Sequence, residues 1–61
     1  MGQRMTNFKA TGIAEGFIEA ESEEEVVEAW QFLHDTGLAY QLQGTFGRTA
    51  QSLIEQGVIT P

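Results

Sequence analysis

The fold is decided by residues 30–59, WQFLHDTGLAYQLQGTFGRTAQSLIEQGVI, which contain two helical segments and the connector between them. Gly37 and Gly57 each follow a segment with helical apolar periodicity, and glycine is the residue that most often lies just beyond a helix. The stretch contains no recognisable catalytic or metal-binding pattern. It therefore predicts an architecture more fully than an activity.

The clearest predicted element is a helix over about residues 23–36. Ser22 and Glu25 have the spacing of a capping box, and acidic residues in the first turn favour the positive end of the helix dipole. Gly37 predicts the end of the helix. The apolar side chains of this helix span a wide arc: Val26, Val27, Ala29, Trp30, Phe32 and Leu33. Such an arc means that the helix is central to a small fold or contacts another subunit.

A second helix is predicted over about residues 46–56, because Phe46, Ala50, Leu53 and Ile54 recur on one helical face. Thr45 is the expected N-cap residue. Residues 38–43 of the connector predict a short helix. The order of helix, tight turn, short helix and helix resembles a helix-turn-helix arrangement.

Residues 8–20 leave two alternatives open. A short strand over about residues 13–20 is our preferred prediction, because Gly12 and Gly16 each cost a helix about 1 kcal/mol relative to alanine. An irregular helix over residues 8–20 is the other. Residues 1–7 are compatible with disorder. The sequence thus predicts one mainly α domain over residues 1–61, with a helical core over residues 22–59.

Composition excludes several classes of function. The chain has 61 residues, a formal net charge of −6, no cysteine and one histidine. Disulfides and thiolate metal sites are therefore ruled out, and we expect neither a metal nor a cofactor. The acidic balance disfavours binding to nucleic acid or to an anionic membrane, since both need clustered basic residues. No apolar run approaches the length of a signal sequence or a membrane span, so we expect a soluble cytoplasmic protein.

Candidate binding residues gather around the connector: Trp30, Tyr40, Gln41, Gln43, Phe46, Arg48 and Thr49. Trp, Tyr and Arg are the residues most often found at the energetic centre of protein interfaces. Arg48 opposes the dipole at the start of a helix, so it needs a compensating partner. One interpretation is a salt bridge to Glu55, Glu28 or Asp35; the other is an anion held by Arg48, Thr49 and nearby amides.

Two further expectations concern chemistry and self-association. His34 is expected to cap its own helix locally, and no nucleophile is paired with it, so we predict that the protein is not an enzyme. A domain this small has a thin core, which favours association between copies. The residues expected at such an interface are Phe17, Val27, Trp30 and Phe32.

The residues AWQ, TGL, LQG, FGR-A and LI-x-x-G, spread over residues 28–59, resemble the shared pattern of a group of very short bacteriophage proteins of unknown function. The resemblance implies a phage origin and expression in the cytoplasm of a bacterial host. It implies no activity and no ligand-binding residue.

Three hypotheses of function follow. The first is a non-enzymatic, homo-oligomeric interaction protein that binds a host or phage protein through residues 38–48 and the adjacent helix faces. The second is an oligomeric sponge that sequesters an anionic nucleotide signal with Arg48, Thr49 and stacking by Tyr40 or Phe46. The third is a module of the helix-turn-helix type, or an acidic helix that mimics nucleic-acid phosphates; it ranks last, because Arg48 is the only cation on the would-be recognition helix.

Overall fold

Three α-helices and one 3₁₀ turn make up the computed structural model, which describes residues 5–42 and 44–61. The elements are α1 (Asn7–Glu15), α2 (Glu23–Asp35), the 3₁₀ turn (Leu38–Tyr40) and α3 (Gly44–Glu55). None of the described residues forms a strand. The mainly α prediction is therefore confirmed.

Helix α2 begins and ends close to the predicted residues. The Ser22 hydroxyl accepts a hydrogen bond from the Glu25 N–H at 3.2 Å, and the Glu25 carboxylate accepts one from the Glu21 N–H at 2.8 Å. The capping box thus reaches one residue further back than the standard pattern. At the other end, Gly37 has a φ of 80°, and its N–H donates to the His34 carbonyl at 3.0 Å.

The preferred strand over residues 13–20 is wrong, because α1 covers Asn7–Glu15. The Thr6 hydroxyl caps this helix by accepting the Lys9 N–H at 3.0 Å. Gly12 is tolerated inside the helix for a tertiary reason: a Cβ atom there would lie 2.5 Å from Ile18 Cδ1. The close packing of Ile18 offsets the low helix propensity of Gly12.

Helix α3 begins at Gly44, two residues before the predicted start. The Thr45 N-cap prediction is wrong, because Thr45 lies inside the first turn. The predicted end is confirmed by a Schellman motif, in which the Gly57 N–H donates to the Ile54 carbonyl at 3.0 Å and the Val58 N–H to the Leu53 carbonyl at 2.9 Å. The connector helix is a 3₁₀ turn over Leu38–Tyr40, shorter than the predicted 38–43.

Helix α2 is the centre of the fold, with contacts to α1, to the 3₁₀ turn and to α3. The core cluster consists of Ala10, Ile13, Ala29, Leu33, Ala39 and Ala50, and Ile59 of the C-terminal segment is also buried. Trp30 and Phe32 are half-buried and pack against this cluster. The wide apolar arc of α2 is therefore covered largely within one chain.

Candidate functional site

Tyr40 joins the two long helices at the connector. Its hydroxyl lies 2.7 Å from His34 Nδ1 on α2, and it accepts a hydrogen bond from Gln51 Nε2 on α3 at 2.8 Å. Because the Gln51 amide nitrogen can only donate, the hydroxyl hydrogen is free to point at His34 Nδ1. All three polar groups are then satisfied together, and the Tyr40 side chain is held at both helices.

The Tyr40 ring is also fixed by packing. A Cβ atom on Gly47 would lie 3.2 Å from Tyr40 Cδ1, so the absence of a side chain at Gly47 lets the ring approach α3. The His34 ring meets the Tyr40 ring edge-on, with centroids 5.7 Å apart. Even so, 45% of Tyr40 remains exposed. The structure thus presents an aromatic ring to solvent in a fixed orientation.

Arg48 follows Gly47 directly and is exposed. Within residues 5–42 and 44–61 its guanidinium makes no ion pair or hydrogen bond, so the salt bridges expected with Glu55, Glu28 or Asp35 are not formed. Gln41, next to Tyr40, is exposed as well. We call the exposed residues Tyr40, Gln41 and Arg48 the connector surface.

Other predicted binding residues have different surroundings. The rings of Trp30 and Phe46 lie with their centroids 5.6 Å apart and their planes tilted by 44°. Both are half-buried, so they support the connector from inside. Thr49 is exposed, but its hydroxyl donates to the Thr45 carbonyl of its own helix at 2.9 Å. Gln43 lies outside the described residues.

Of the residues predicted to lie between copies, Phe17 is 83% exposed and Val27 is half-buried. Trp30 and Phe32 already contact the core of their own chain. They therefore offer less surface to a second copy than the sequence suggested.

We did not predict from the sequence that His34 and Gln51 are the hydrogen-bond partners of the Tyr40 hydroxyl. We expected His34 to cap α2 locally, yet its Nδ1 atom faces the Tyr40 hydroxyl across the tight turn at Gly37. A usable signal was present, because Gly47 and Gln51 are one helical turn apart and share the face of α3 that meets Tyr40.

The Glu25 carboxylate, whose pKa is lowered, lies away from the connector at the start of α2. Lys9 Nζ on α1 is 2.9 Å from Glu25 Oε2 on α2. The hydrogen bond from Lys9, followed by the one from the Glu21 N–H, lowers the pKa of Glu25 below its ordinary value, against a smaller opposing effect of desolvation. This pair joins α1 to the capped start of α2.

Among the described residues, no group of three His, Asp or Glu side chains is placed to hold a metal ion. No helix in the same part of the chain is both long and apolar enough to cross a bilayer.

These features define a small three-helix protein with a pinned, half-exposed tyrosine at its helix connector. A family model described as a domain of unknown function, DUF7417, matches residues 9–61, and the chain belongs to this family. The match covers most of α1 and everything after it. Comparison with curated proteins found no match, and neither did comparison with solved structures.

Proposed function

We propose that the chain is a non-enzymatic interaction protein of bacteriophage origin. In this proposal it acts in the cytoplasm of the bacterial host as a homo-oligomer. It binds a host or phage protein through the connector surface of Tyr40, Gln41 and Arg48. The phage origin rests on the sequence resemblance, and the binding role rests on the geometry of the connector.

The binding role is supported by one observation: the Tyr40 side chain is held by hydrogen bonds and yet is exposed. Its hydroxyl is held by His34 and Gln51 while 45% of the residue remains exposed. Ordering a side chain at an interface costs about 0.5–1.5 kcal/mol. Because Tyr40 is already ordered in the free protein, little of this free energy is lost on binding. The Tyr40 ring packs on Gly47, the residue that precedes the exposed Arg48, and a pre-ordered aromatic and an arginine are the residue types expected at an interface centre.

The charges of the chain indicate the chemistry of the partner. Arg48 has no acceptor among the described residues, and a guanidinium forms its strongest bonds to a carboxylate in a two-point geometry. The net charge of −6 favours the long-range approach of a basic protein. The partner is therefore a protein that is basic overall and places a carboxylate opposite Arg48.

The test is quantitative affinity capture from host lysate, with the full chain as bait and Arg48→Ala and Arg48→Lys beside it. Arg48→Ala is expected to weaken capture of the partner by about tenfold or more. Arg48→Lys keeps the charge but loses the planar fork, so it restores only part of the binding.

The matched control is Gln56→Ala, because Gln56 is exposed just beyond α3 and, in the part of the chain that the structure describes, its side-chain amide donates only to the Ser52 hydroxyl. Thermal melting of each bait establishes that it is folded. A failure to enrich any partner contradicts the proposal, and so does a partner whose capture is the same with Arg48→Ala as with the wild type.

A second candidate, the sponge for an anionic nucleotide, is favoured by one observation: Arg48 is exposed and unpaired among the described residues. Two others weigh against it. Thr49 directs its hydroxyl to the Thr45 carbonyl, and the Phe46 ring is half-buried against Trp30. Calorimetry against a panel of nucleotides separates this candidate from the first, since only a sponge releases heat that Arg48→Ala abolishes.

A further inference from the structure

Two phenylalanines at one corner of the molecule are almost fully exposed. Phe8 on α1 is 81% exposed, and Phe17, just after α1, is 83% exposed. Both line a groove of about 540 Å³. Phenyl rings beside a groove offer apolar surface and also π faces, which attract cations.

The backbone fixes the shape of this groove. Gly16 ends α1 with a φ of 88°, and the Phe17 N–H donates to the Gly12 carbonyl at 2.8 Å. The Ile18 N–H donates to the same carbonyl at 3.1 Å, and its side chain packs over Gly12. Ile18 therefore forms part of the groove wall, while the Phe17 side chain stays exposed beside it.

The charge in the groove is negative. Among the residues that line it, Glu15 is the only charged one, and it is exposed. Within residues 5–42 and 44–61 its carboxylate makes no ion pair or hydrogen bond. Glu15 also lies in the last turn of α1, where the helix dipole adds further negative potential. A cation in the groove is therefore favoured by a carboxylate and by a helix end together.

The sequence around the groove strengthens this negative potential. Seven of the nine acidic residues lie between residues 15 and 28, and this stretch contains no lysine or arginine. The seven are Glu15, Glu19, Glu21, Glu23, Glu24, Glu25 and Glu28. An apolar cleft bordered by charges of one sign concentrates ions of the opposite sign. A neutral occupant gains nothing from this potential, and a second acidic copy of the chain is repelled by it.

We propose that the groove binds an arginine side chain of a different protein. The methylene stem of an arginine packs on apolar walls such as Ile18, while its guanidinium stacks on a phenyl ring and donates to the Glu15 carboxylate. Arginine fits better than lysine, because its guanidinium is planar, stacks on aromatic faces and is more weakly hydrated.

The size of the groove agrees with one inserted side chain. Pockets for small ligands measure about 300–1,000 Å³, so a groove of about 540 Å³ holds an arginine together with parts of its neighbours. One inserted side chain does not require the buried area of a whole protein interface. The groove shares no residue with the connector surface, so the inference goes beyond the proposed function and does not depend on it.

The test is an NMR titration of the isotope-labelled full chain with two capped tripeptides. One has arginine between two leucines, and the other has citrulline, the uncharged isostere of arginine, in the same place. The arginine peptide is expected to shift the amide signals of Phe17 and Ile18 with a dissociation constant on the order of 1 mM. The citrulline peptide is expected to bind about fivefold more weakly. Raising the NaCl concentration from about 50 mM to about 500 mM is expected to weaken the arginine peptide alone.

Two variants assign the binding to the groove. Glu15→Gln is expected to weaken the arginine peptide about threefold and to leave the citrulline peptide unchanged. It does not endanger the fold, because a carboxylate in the last turn of α1 opposes the helix dipole. Phe17→Leu keeps an apolar side chain but removes the ring, so it is expected to weaken the arginine peptide about twofold to threefold.

The matched control is Glu55→Gln. It removes the same charge from the last turn of another helix, α3, at an exposed residue that does not line the groove. The dissociation constant of the arginine peptide is expected to stay within about 1.5-fold of the wild-type value.

Three results would overturn the inference. The first is no shift at Phe17 and Ile18 up to about 10 mM arginine peptide. The second is a citrulline peptide that binds as tightly as the arginine peptide, which places a neutral apolar ligand in the groove. The third is an equal effect of Glu15→Gln and Glu55→Gln. Signals of Phe17 and Ile18 that shift when the chain alone is concentrated place a second copy in the groove and likewise contradict the inference.

The outcome is separable from that of the connector proposal, because the titration uses synthetic peptides and no host protein. Arg48→Ala is expected to bind the arginine peptide as the wild type does, while it loses the protein captured through the connector. If no protein is captured at the connector, the titration still supports or overturns the arginine site by itself.

Discussion

The side chain of Gln31 forms a two-way hydrogen bond with the backbone of Thr60. The Thr60 N–H donates to Gln31 Oε1 at 2.8 Å, and Gln31 Nε2 donates to the Thr60 carbonyl at 2.9 Å. Gln31 Nε2 also donates to Asp35 Oδ1 at 3.0 Å. These hydrogen bonds hold the C-terminal segment against α2. Ile59, the residue before Thr60, is buried.

Gln31→Glu is predicted to loosen the C-terminal segment. A carboxylate cannot donate to the Thr60 carbonyl, and it adds a negative charge next to Asp35. We expect the free energy of unfolding to fall by about 1–2 kcal/mol in urea titrations. Gln56→Glu is the matched control, because it adds the same charge near α3 and costs only a few tenths of a kcal/mol. Equal losses in the two variants would show that the Gln31–Thr60 hydrogen bonds do not contribute to the free energy of unfolding.

Gly12→Ala is predicted to destabilise the protein even though alanine is the better helix former. A Cβ atom at residue 12 would lie 2.5 Å from Ile18 Cδ1, so Ile18 must move. We expect a loss of about 1–3 kcal/mol in the free energy of unfolding. Gly44→Ala, where no atom lies within 4 Å of the new Cβ, is expected to be neutral or slightly stabilising. If Gly12→Ala behaves like Gly44→Ala, the packing of Ile18 on α1 is wrong.

Glu25 is predicted to make the fold sensitive to acid. Because its pKa is lowered in the folded state from the ordinary value of 4.5, the ionised form is favoured by folding. This contribution is fully present above pH 4.5 and is lost as the pH falls through the lower, folded-state pKa. Chemical denaturation at a series of pH values should therefore show a smaller fall in stability below pH 4.5 for Glu25→Gln than for the wild type.

The control for Glu25 is Glu24→Gln, in the same first turn of α2. Within the described chain the Glu24 carboxylate has no ion pair or hydrogen bond. The Glu24→Gln variant should therefore retain the acid dependence that the Lys9–Glu25 pair gives the wild type. An unchanged acid dependence in Glu25→Gln would show that the Lys9 pair does not stabilise the fold.

Tyr40→Phe is predicted to uncouple α2 from α3 at the connector. The variant keeps the ring but removes the hydroxyl that bonds His34 and Gln51. We expect a loss of about 1 kcal/mol, and a double-mutant cycle with Gln51→Ala should give losses that do not add. Additive losses would mean that Tyr40 and Gln51 do not interact in solution.

The helix ends that depend on residues close in sequence were predicted well. Ser22, Glu25 and Gly37 mark the ends of α2, and Gly57 marks the end of α3, because caps depend on backbone groups only a few residues away. A helix in the N-terminal part was predicted only as the second alternative, over residues 8–20, since the tolerance of Gly12 in α1 depends on how Ile18 returns to pack against it.

The candidate site was predicted only in part. Tyr40, Gln41 and Arg48 were identified by residue type. Their arrangement depends on Gln51, 11 residues from Tyr40. The one-turn spacing of Gly47 and Gln51 places both on one face of α3, but it does not say that Tyr40 packs on that face. The Gln31–Thr60 bonds span 29 residues and were beyond prediction for the same reason.

Our central claim is that the molecule acts by association through two separate surfaces. The most direct measurement is photo-cross-linking inside cells of the proposed bacterial host, with a photoreactive amino acid introduced in place of Gln41, Phe17 or Gln56. We predict an adduct with a different protein from residue 41 and from residue 17, and none from residue 56. Yields at residues 41 and 17 no higher than at residue 56 would contradict the claim.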